Sequence, residues 1–271
     1  MIRTEEEWEK VVTKDAEGSY VDTNGEVRHF CQAAFESIAS NLDRCFLCGV
    51  SSAEADFNDE HVIPNWMLRR FAMHTEKVIL PNGRGYKYGQ YTLRCCVPCN
   101  QLLGEKVETP ISEMFSRHGG VENVLTERNE MSLVYQWLCL LFIKAHLKDR
   151  DIRFEPDRRE DSPQIGDLYD WTLLHHIHTV ARASKSRAII DSGGWGTIGM
   201  FNMRSLNDGD EFDFGTLSDW STIYVRVGDY EVVGVLNDTM RVYYSEEESL
   251  SRITGLSRKH RVRDPNARIV D

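Results

Sequence analysis

The stretch Cys45-Phe46-Leu47-Cys48 and its later counterpart Cys96-Val97-Pro98-Cys99 decide how this chain folds. A spacer of two residues lets both sulfurs of each pair face one ion, and two such pairs complete a tetrahedral zinc site. The 47 residues between Cys48 and Cys96 exceed the spacing of a simple zinc ribbon, so we expect them to form a small structure of their own. Chance spacing or redox use of the pairs is the alternative interpretation, and the pattern favours a structural zinc.

The composition is that of a globular protein. The chain has 271 residues, of which 41% are hydrophobic and 28% are charged, enough to bury a substantial core in one large or two modest domains. The first residues are acidic, so we expect no secretory leader and a cytoplasmic location. Seven cysteines in such a chain favour metal binding over disulfides, and Cys95 could compete as a ligand.

The net charge of -11 argues against a protein that coats nucleic acid nonspecifically, because phosphate contacts require Lys and Arg on the binding face. The charge is uneven along the chain, however. Residues 60–106 hold seven Lys or Arg against three Glu, and residues 252–271 hold six against two Asp. A basic face could therefore exist at the zinc module and near the C-terminus.

Hydrophobic periodicity predicts an α+β fold. Helical spacing is present at residues 30–39, and the order strand, turn, strand, helix surrounds the metal. We expect two further helices at about 131–148 and 168–183, followed by antiparallel strands up to residue 244. The apolar run 137–143 is too short to span a bilayer, so we expect a buried helix and no membrane association. The predicted regions are an N-terminal helical segment (1–44), the zinc module (45–110) and a C-terminal helical plus antiparallel β region (120–271).

The zinc module encloses residues with catalytic chemistry. The run Asp59-Glu60-His61-Val62-Ile63-Pro64 lies between the cysteine pairs, and Asn100 follows the second pair directly. Closing the zinc site would hold a carboxylate, an imidazole and an amide close together, and these are the ingredients of a metal-assisted hydrolase.

These combined motifs, with Leu-Gly-Glu-Lys-Val-Glu after Asn100, resemble the HNH endonucleases that carry a zinc-supported ββα-metal finger. The resemblance covers about residues 45–110. It implies that His61 is the general base that activates water, while Glu60 and Asn100 hold a catalytic magnesium or manganese ion. Glu108 matches an acidic residue often found after the Leu-Gly step, as a ligand or as a partner of the ligands.

The chain departs from the family at two places. Asn100 stands where the family often has His, and an amide is a poorer metal ligand. The central Asn that orients the base is not evident, because Tyr91 or Thr92 occupies its neighbourhood, and Asn82 is a candidate for that role.

The resemblance implies an endonuclease that hydrolyses phosphodiester bonds of DNA, as in restriction or phage defence. Residues 120–271 would supply target choice, a protein partner or homo-oligomer contacts. A non-catalytic zinc module that binds nucleic acid or a partner protein is the main alternative. A Cys-x-x-Cys oxidoreductase is a third, but it needs a thioredoxin-like context that the sequence lacks.

Overall fold

The protein has an α+β fold, seen in a computed structural model that describes residues 12–117, 128–155, 162–186, 197–202, 212–217 and 221–236. Helices and antiparallel strands both contribute, as the sequence predicts. The chain divides into two compact units, residues 1–192 and 193–271. The predicted assignment of roles to 1–44, 45–110 and 120–271 stays a prediction.

A three-stranded antiparallel sheet opens the first unit. Its strands are β1 (Val12–Lys14), β2 (Tyr20–Asp22) and β3 (Val27–His29), and helix α1 (Gln32–Ala39) follows them. The predicted helical spacing at 30–39 is confirmed by α1, which buries Phe35, Ile38 and Ala39. The sheet was not predicted, because strands of three residues are too short to show a clear alternation.

The central part of the first unit is a strand pair followed by a long helix. Strand β4 (Phe57–His61) pairs antiparallel with β7 (Thr92–Cys96), with Phe57 opposite Cys96 and His61 opposite Thr92. Helix α2 (Asn65–Arg70) and the hairpin β5 (Lys77–Ile79) and β6 (Gly85–Lys87) lie between them in sequence. The predicted turn in this hairpin is confirmed, since Gly83 adopts a φ of +80° that suits glycine.

One continuous helical segment follows β7. It comprises α3 (Val97–Leu103), a π-helical turn (Gly104–Glu108) and α4 (Thr109–Ser116). Pro110 lacks a backbone N–H, so the wider π turn lets the helix continue past it. The buried side chains recur every four residues along one side of this segment, at Cys99, Leu103, Val107 and Ile111.

The core of the first unit is helix α5 (Arg128–Asp149), with 22 residues. Every residue from 134 to 147 is buried, polar side chains included, as expected of a helix at the centre of a domain. Helices α6 (Trp171–Ala181) and α7 (Ala183–Ser186) pack nearby and confirm the second predicted helix. None of the helices in the described ranges is long and apolar enough to cross a membrane.

The second unit contains a four-stranded antiparallel sheet. Its strands are β8 (Thr197–Asn202), β9 (Phe212–Leu217), β10 (Thr222–Val227) and β11 (Tyr230–Val235), in the order β8-β11-β10-β9. The predicted strands around Ile223 and Val232 are confirmed. Residues 237–244 of the predicted strand region and the basic segment 252–271 lie outside the described residues.

Candidate metal centre and the acid–lysine cluster

The four-cysteine cluster, formed by Cys45, Cys48, Cys96 and Cys99, has the dimensions of a metal site. All four sulfur atoms lie within 4.8 Å of one another, and Cys48 Sγ is 3.6 Å from Cys96 Sγ. Four sulfurs at about 2.3 Å from a zinc ion would be about 3.8 Å apart. The cluster could therefore hold a metal such as zinc, as its spacing predicts.

The first cysteine pair is held by a tight turn. The Cys45 N–H donates to the Val50 carbonyl at 2.9 Å, and the Gly49 N–H donates to the Cys45 carbonyl at 2.8 Å. Gly49 has a φ of +79°, and a Cβ at that position would lie 2.9 Å from Ile38 Cδ1. Both the backbone angle and the crowding require glycine directly after Cys48.

The second cysteine pair lies where a strand becomes a helix. Cys96 is the last residue of β7 and caps α3, while Cys99 lies in the first turn of α3. A metal bound by this pair would fix the strand pair and the helix to each other. It would also fix Asn100, which directly follows Cys99.

Cys95 adjoins the cluster, directly before Cys96 on β7. Its sulfur is 3.7 Å from Cys45 Sγ, although it is not among the four sulfurs that surround one point. Hydrogen bonds to Cys45 and Cys96, together with burial, raise the pKa of Cys95, whereas hydrogen bonds from Cys48, Cys95 and Cys99 lower the pKa of Cys45. The four-cysteine cluster is therefore complete without Cys95, whose thiol lies beside Cys45.

Helix α6 and Arg182, the residue that follows it, bind the backbone between the first two cysteines. His178 Nε2 lies 2.7 Å from the Phe46 carbonyl, and Arg182 Nε donates to the Leu47 carbonyl at 3.1 Å. Burial lowers the pKa of His178 to about 3, so the ring is neutral and donates through Nε2. Burial lowers the pKa of Arg182 to about 10, which still leaves a cation beside the thiolates at neutral pH.

His178 has a specific packing role in the structure, since it binds the backbone between the first two cysteines. The two carbonyls that His178 and Arg182 bind belong to the two spacer residues between Cys45 and Cys48. In the sequence, His178 and Arg182 are two polar residues four apart at the end of a helix. Their partners could not be identified from this spacing, because they lie more than 130 residues away.

A second polar cluster, which we name the acid–lysine cluster, consists of Glu60, Glu108 and Lys144. Lys144 Nζ is 2.7 Å from Glu60 Oε1 and 3.3 Å from Glu108 Oε1, and it also donates to the His61 carbonyl at 2.7 Å. The side chain of Lys144 is fully buried, while those of Glu60 and Glu108 are 8% and 16% exposed. Three elements, β4, the π turn and α5, therefore meet at one ammonium group.

The charges of this cluster depend on one another. Burial works to lower the pKa of Lys144, but the carboxylates of Glu60 and Glu108 outweigh it and raise that pKa above its ordinary value. Burial raises the pKa of Glu108 to about 7, against the opposing attraction of Lys144. Lys144 is thus an ammonium at neutral pH, and Glu108 changes protonation near pH 7.

His61 lies at the end of β4, with its ring on the opposite side of the strand from Glu60. Its ring is half-buried and meets the ring of His74 edge-on, with centroids 6.4 Å apart. His74 Nε2 in turn lies 2.8 Å from Asn65 Oδ1. Burial lowers the pKa of His61, so the imidazole is neutral at pH 7 and can accept a proton.

Asn100 is placed beside a different residue of β4. Its Nδ2 donates to Asn58 Oδ1 at 2.8 Å, and this hydrogen bond is exposed. Asn58 and Glu60 lie on the same side of the strand, two residues apart. The structure therefore brings Glu60 and Glu108 together at Lys144, and it joins Asn100 to the same strand through Asn58.

The candidates for orienting the base have other partners. Asn82 lies in the β5–β6 turn, where its side chain donates to the Arg153 carbonyl and accepts from the Arg84 N–H. The Tyr91 hydroxyl donates to Asp149 at 2.8 Å, and Thr92 pairs with His61 through the β4–β7 register. The residue closest in kind to an orienting group is His74, which sequence reasoning did not select.

Comparisons with models of protein families, with curated proteins and with solved structures give no match for this chain.

Proposed function

We propose that residues 45–110 form a zinc-supported ββα-metal module of the HNH type and that the protein is an endonuclease acting on DNA. The four-cysteine cluster would be its structural zinc site, and a restriction or phage-defence setting would suit such an enzyme. The observation that carries the proposal is the position of His61. A neutral, half-exposed imidazole ends the first strand of a strand-strand-helix unit whose strand and helix share one cysteine pair.

The proposed roles follow from the contacts. His61 would take a proton from the attacking water, since its lowered pKa keeps the ring neutral at pH 7. Lys144 would fix the strand position of His61 by binding its carbonyl and would hold Glu60 in place. Glu60, Glu108 and Asn100 offer the oxygen atoms that magnesium or manganese prefers, and such an ion would offset the charge of the scissile phosphate.

One observation favours the second candidate, a non-catalytic zinc module that binds nucleic acid or a partner protein. Lys144 already binds the two carboxyl groups that would otherwise hold a catalytic ion. In that case the acid–lysine cluster would serve only to join α5 to the zinc module.

A plasmid-nicking assay separates the two candidates. The purified full chain is incubated with supercoiled DNA and magnesium or manganese, beside the His61→Ala variant. The proposed function predicts nicking that falls by about 100-fold or more in His61→Ala, because a positioned base contributes a factor of that order. The variant His29→Ala is the matched control, since His29 is another half-buried histidine of the first unit but lies on β3.

Zinc content and melting temperature are measured for each variant, so that loss of fold is recognised. Nicking that persists in His61→Ala would refute the role of His61. A wild-type chain that binds DNA without nicking it, with either metal, would instead support the second candidate.

A further inference from the structure

A cavity of about 690 Å³ opens in the first unit, beside the β5–β6 hairpin and the C-terminal end of α5. This volume is in the range of sites for small organic ligands. We name it the tyrosine cavity, and it is lined by Leu80, Asn82, Arg84, Gly85, Tyr86, Tyr91, Lys148, Asp151, Ile152 and Arg153.

The lining combines aromatic rings with positive charge. Tyr86 is 38% exposed, whereas Tyr91 is buried and donates its hydroxyl to Asp149. Lys148 Nζ lies 5.5 Å from the centre of the Tyr86 ring, so a cation and an aromatic ring meet at the mouth of the cavity. An aromatic ligand with a negative charge would find both of its partners there.

The positive charges of the lining exceed the negative. Arg84, Lys148 and Arg153 are the cations, and Asp151 is the acid. Asp151 is bound by both the Nε and Nη2 atoms of Arg150, at 2.7 and 2.6 Å, so its charge is already compensated. In the part of the chain that the structure describes, no carboxylate forms an ion pair with Arg84 or Lys148.

The walls of the tyrosine cavity are tied together. Asn82 Nδ2 donates to the Arg153 carbonyl at 3.0 Å, which joins the β5–β6 turn to the loop after α5. The same Asn82 accepts from the Arg84 N–H through Oδ1, and the Leu80 N–H donates to the Arg84 carbonyl at 2.9 Å. The cavity is thus formed before a ligand arrives, which lowers the entropic cost of binding.

We propose that the tyrosine cavity binds a nucleotide, with its base against Tyr86 and its phosphate at Arg84 and Lys148. Stacking of a base on an aromatic ring and a charge-assisted bond to phosphate are the two contacts by which proteins hold single-stranded nucleic acid. A free nucleotide and a nucleotide unit of a DNA strand share this chemistry.

The tyrosine cavity is connected through the backbone to the residue after the candidate base. The Val62 N–H donates to the Tyr91 carbonyl at 2.9 Å, and Val62 directly follows His61. If the proposed nuclease function holds, the bound nucleotide is a neighbour of the phosphate that is cut. This second step rests on the proposed function, whereas nucleotide binding does not.

Calorimetric titration of the zinc-loaded full chain tests the proposal without any cleavage. The probes are deoxyadenosine 5′-monophosphate, deoxyadenosine, deoxyribose 5-phosphate and a short single-stranded oligonucleotide of adenines. We expect Arg84→Gln and Tyr86→Ala each to weaken binding of the nucleotide or the oligonucleotide about 10-fold or more. The control Arg117→Gln changes an exposed arginine at the end of α4 and leaves binding unchanged.

Binding of the mononucleotide identifies a free nucleotide as a sufficient ligand, and binding of the oligonucleotide alone identifies a strand. Either result supports the proposal if both variants weaken it. The proposal is overturned if no probe binds, if Arg84→Gln and Tyr86→Ala have no effect, or if deoxyribose 5-phosphate binds as tightly as the nucleotide. The variant His61→Ala retains binding, so failure of the nuclease proposal leaves this result unaffected.

Discussion

Replacing Lys144 by methionine is expected to destabilise the first unit by about 3–5 kcal/mol at pH 7. Methionine keeps the length and helix propensity of lysine but removes the ammonium group from between Glu60 and Glu108. Lys144 is fully buried and donates to both carboxylates and to the His61 carbonyl. Three acceptors, all partly or fully buried, therefore lose their donor in one substitution.

The expected size follows from the pKa values. An unpaired carboxyl with an ordinary pKa of 4.5 can take up a proton at pH 7 at a cost of about 3.4 kcal/mol. Protonation therefore limits the penalty for a carboxylate that loses its donor, and Glu108, with a pKa of about 7, is already half protonated at pH 7. The orphaned His61 carbonyl adds about 1 kcal/mol or more.

The stability that Lys144→Met loses relative to wild type depends on pH. Lys144 lowers the pKa of Glu108 in the wild type, so its removal raises that pKa further, and the folded variant binds more protons than the unfolded state above about pH 4.5. The stability of the variant therefore falls as pH rises through this range, and its deficit relative to wild type grows. At pH 5 the cost of protonating an ordinary glutamate side chain is less than about 1 kcal/mol, so the deficit is smaller there.

Urea unfolding of both proteins at pH 5 and pH 7, with zinc present, measures this difference. A deficit of 3–5 kcal/mol corresponds to a fall in melting temperature of about 6–20 °C for a unit of this size. Lys148→Met is the matched control, because Lys148 lies one turn further along α5, half-buried over Tyr86, and should lose no more than about 1 kcal/mol. A Lys144→Met deficit below about 1 kcal/mol, or one that does not change with pH, would refute the reasoning.

Three further predictions concern both clusters. Glu108→Gln should be more stable than wild type above pH 7, by up to about 3 kcal/mol, because it removes a carboxyl whose pKa is raised from 4.5 to about 7; equal stability at pH 8.5 would contradict this. Cys99→Ser should lose its zinc while Cys31→Ala, outside the four-cysteine cluster, retains one zinc per chain by metal analysis. His178→Ala should release zinc to a chromogenic chelator about 10-fold faster than wild type, since the Phe46 carbonyl loses its donor, and an unchanged rate would count against this support.

The four-cysteine cluster could be predicted from the sequence because its chemistry is local. Each cysteine pair forms within one turn, and the residue types and spacing alone identify the ligands. The buried helix at 128–149 was also predictable, since an apolar segment that is too long for a strand and too short to span a membrane is expected to form a buried helix. The strand-turn-strand-helix order followed from the turn signal Asn82-Gly83-Arg84-Gly85, the strand character of the residues after it, and Pro64 at the start of a helix.

The acid–lysine cluster was not predictable in the same way. Lys144 lies 84 residues from Glu60 and 36 from Glu108, and it occupies an apolar helix where a lysine gives no local sign of its partner. Its partners are set by how α5 packs on β4, which is a tertiary property. The supporting roles of His178 and Arg182 were hidden for the same reason.

The proposed zinc site requires that four sulfurs hold one zinc ion and so join β7, α3 and the first cysteine pair. X-ray absorption at the zinc edge, measured on the purified full chain, tests it most directly. We expect one zinc per chain with four sulfur ligands at about 2.3 Å. A zinc bound by nitrogen or oxygen atoms, or a folded chain that contains no zinc, would contradict it.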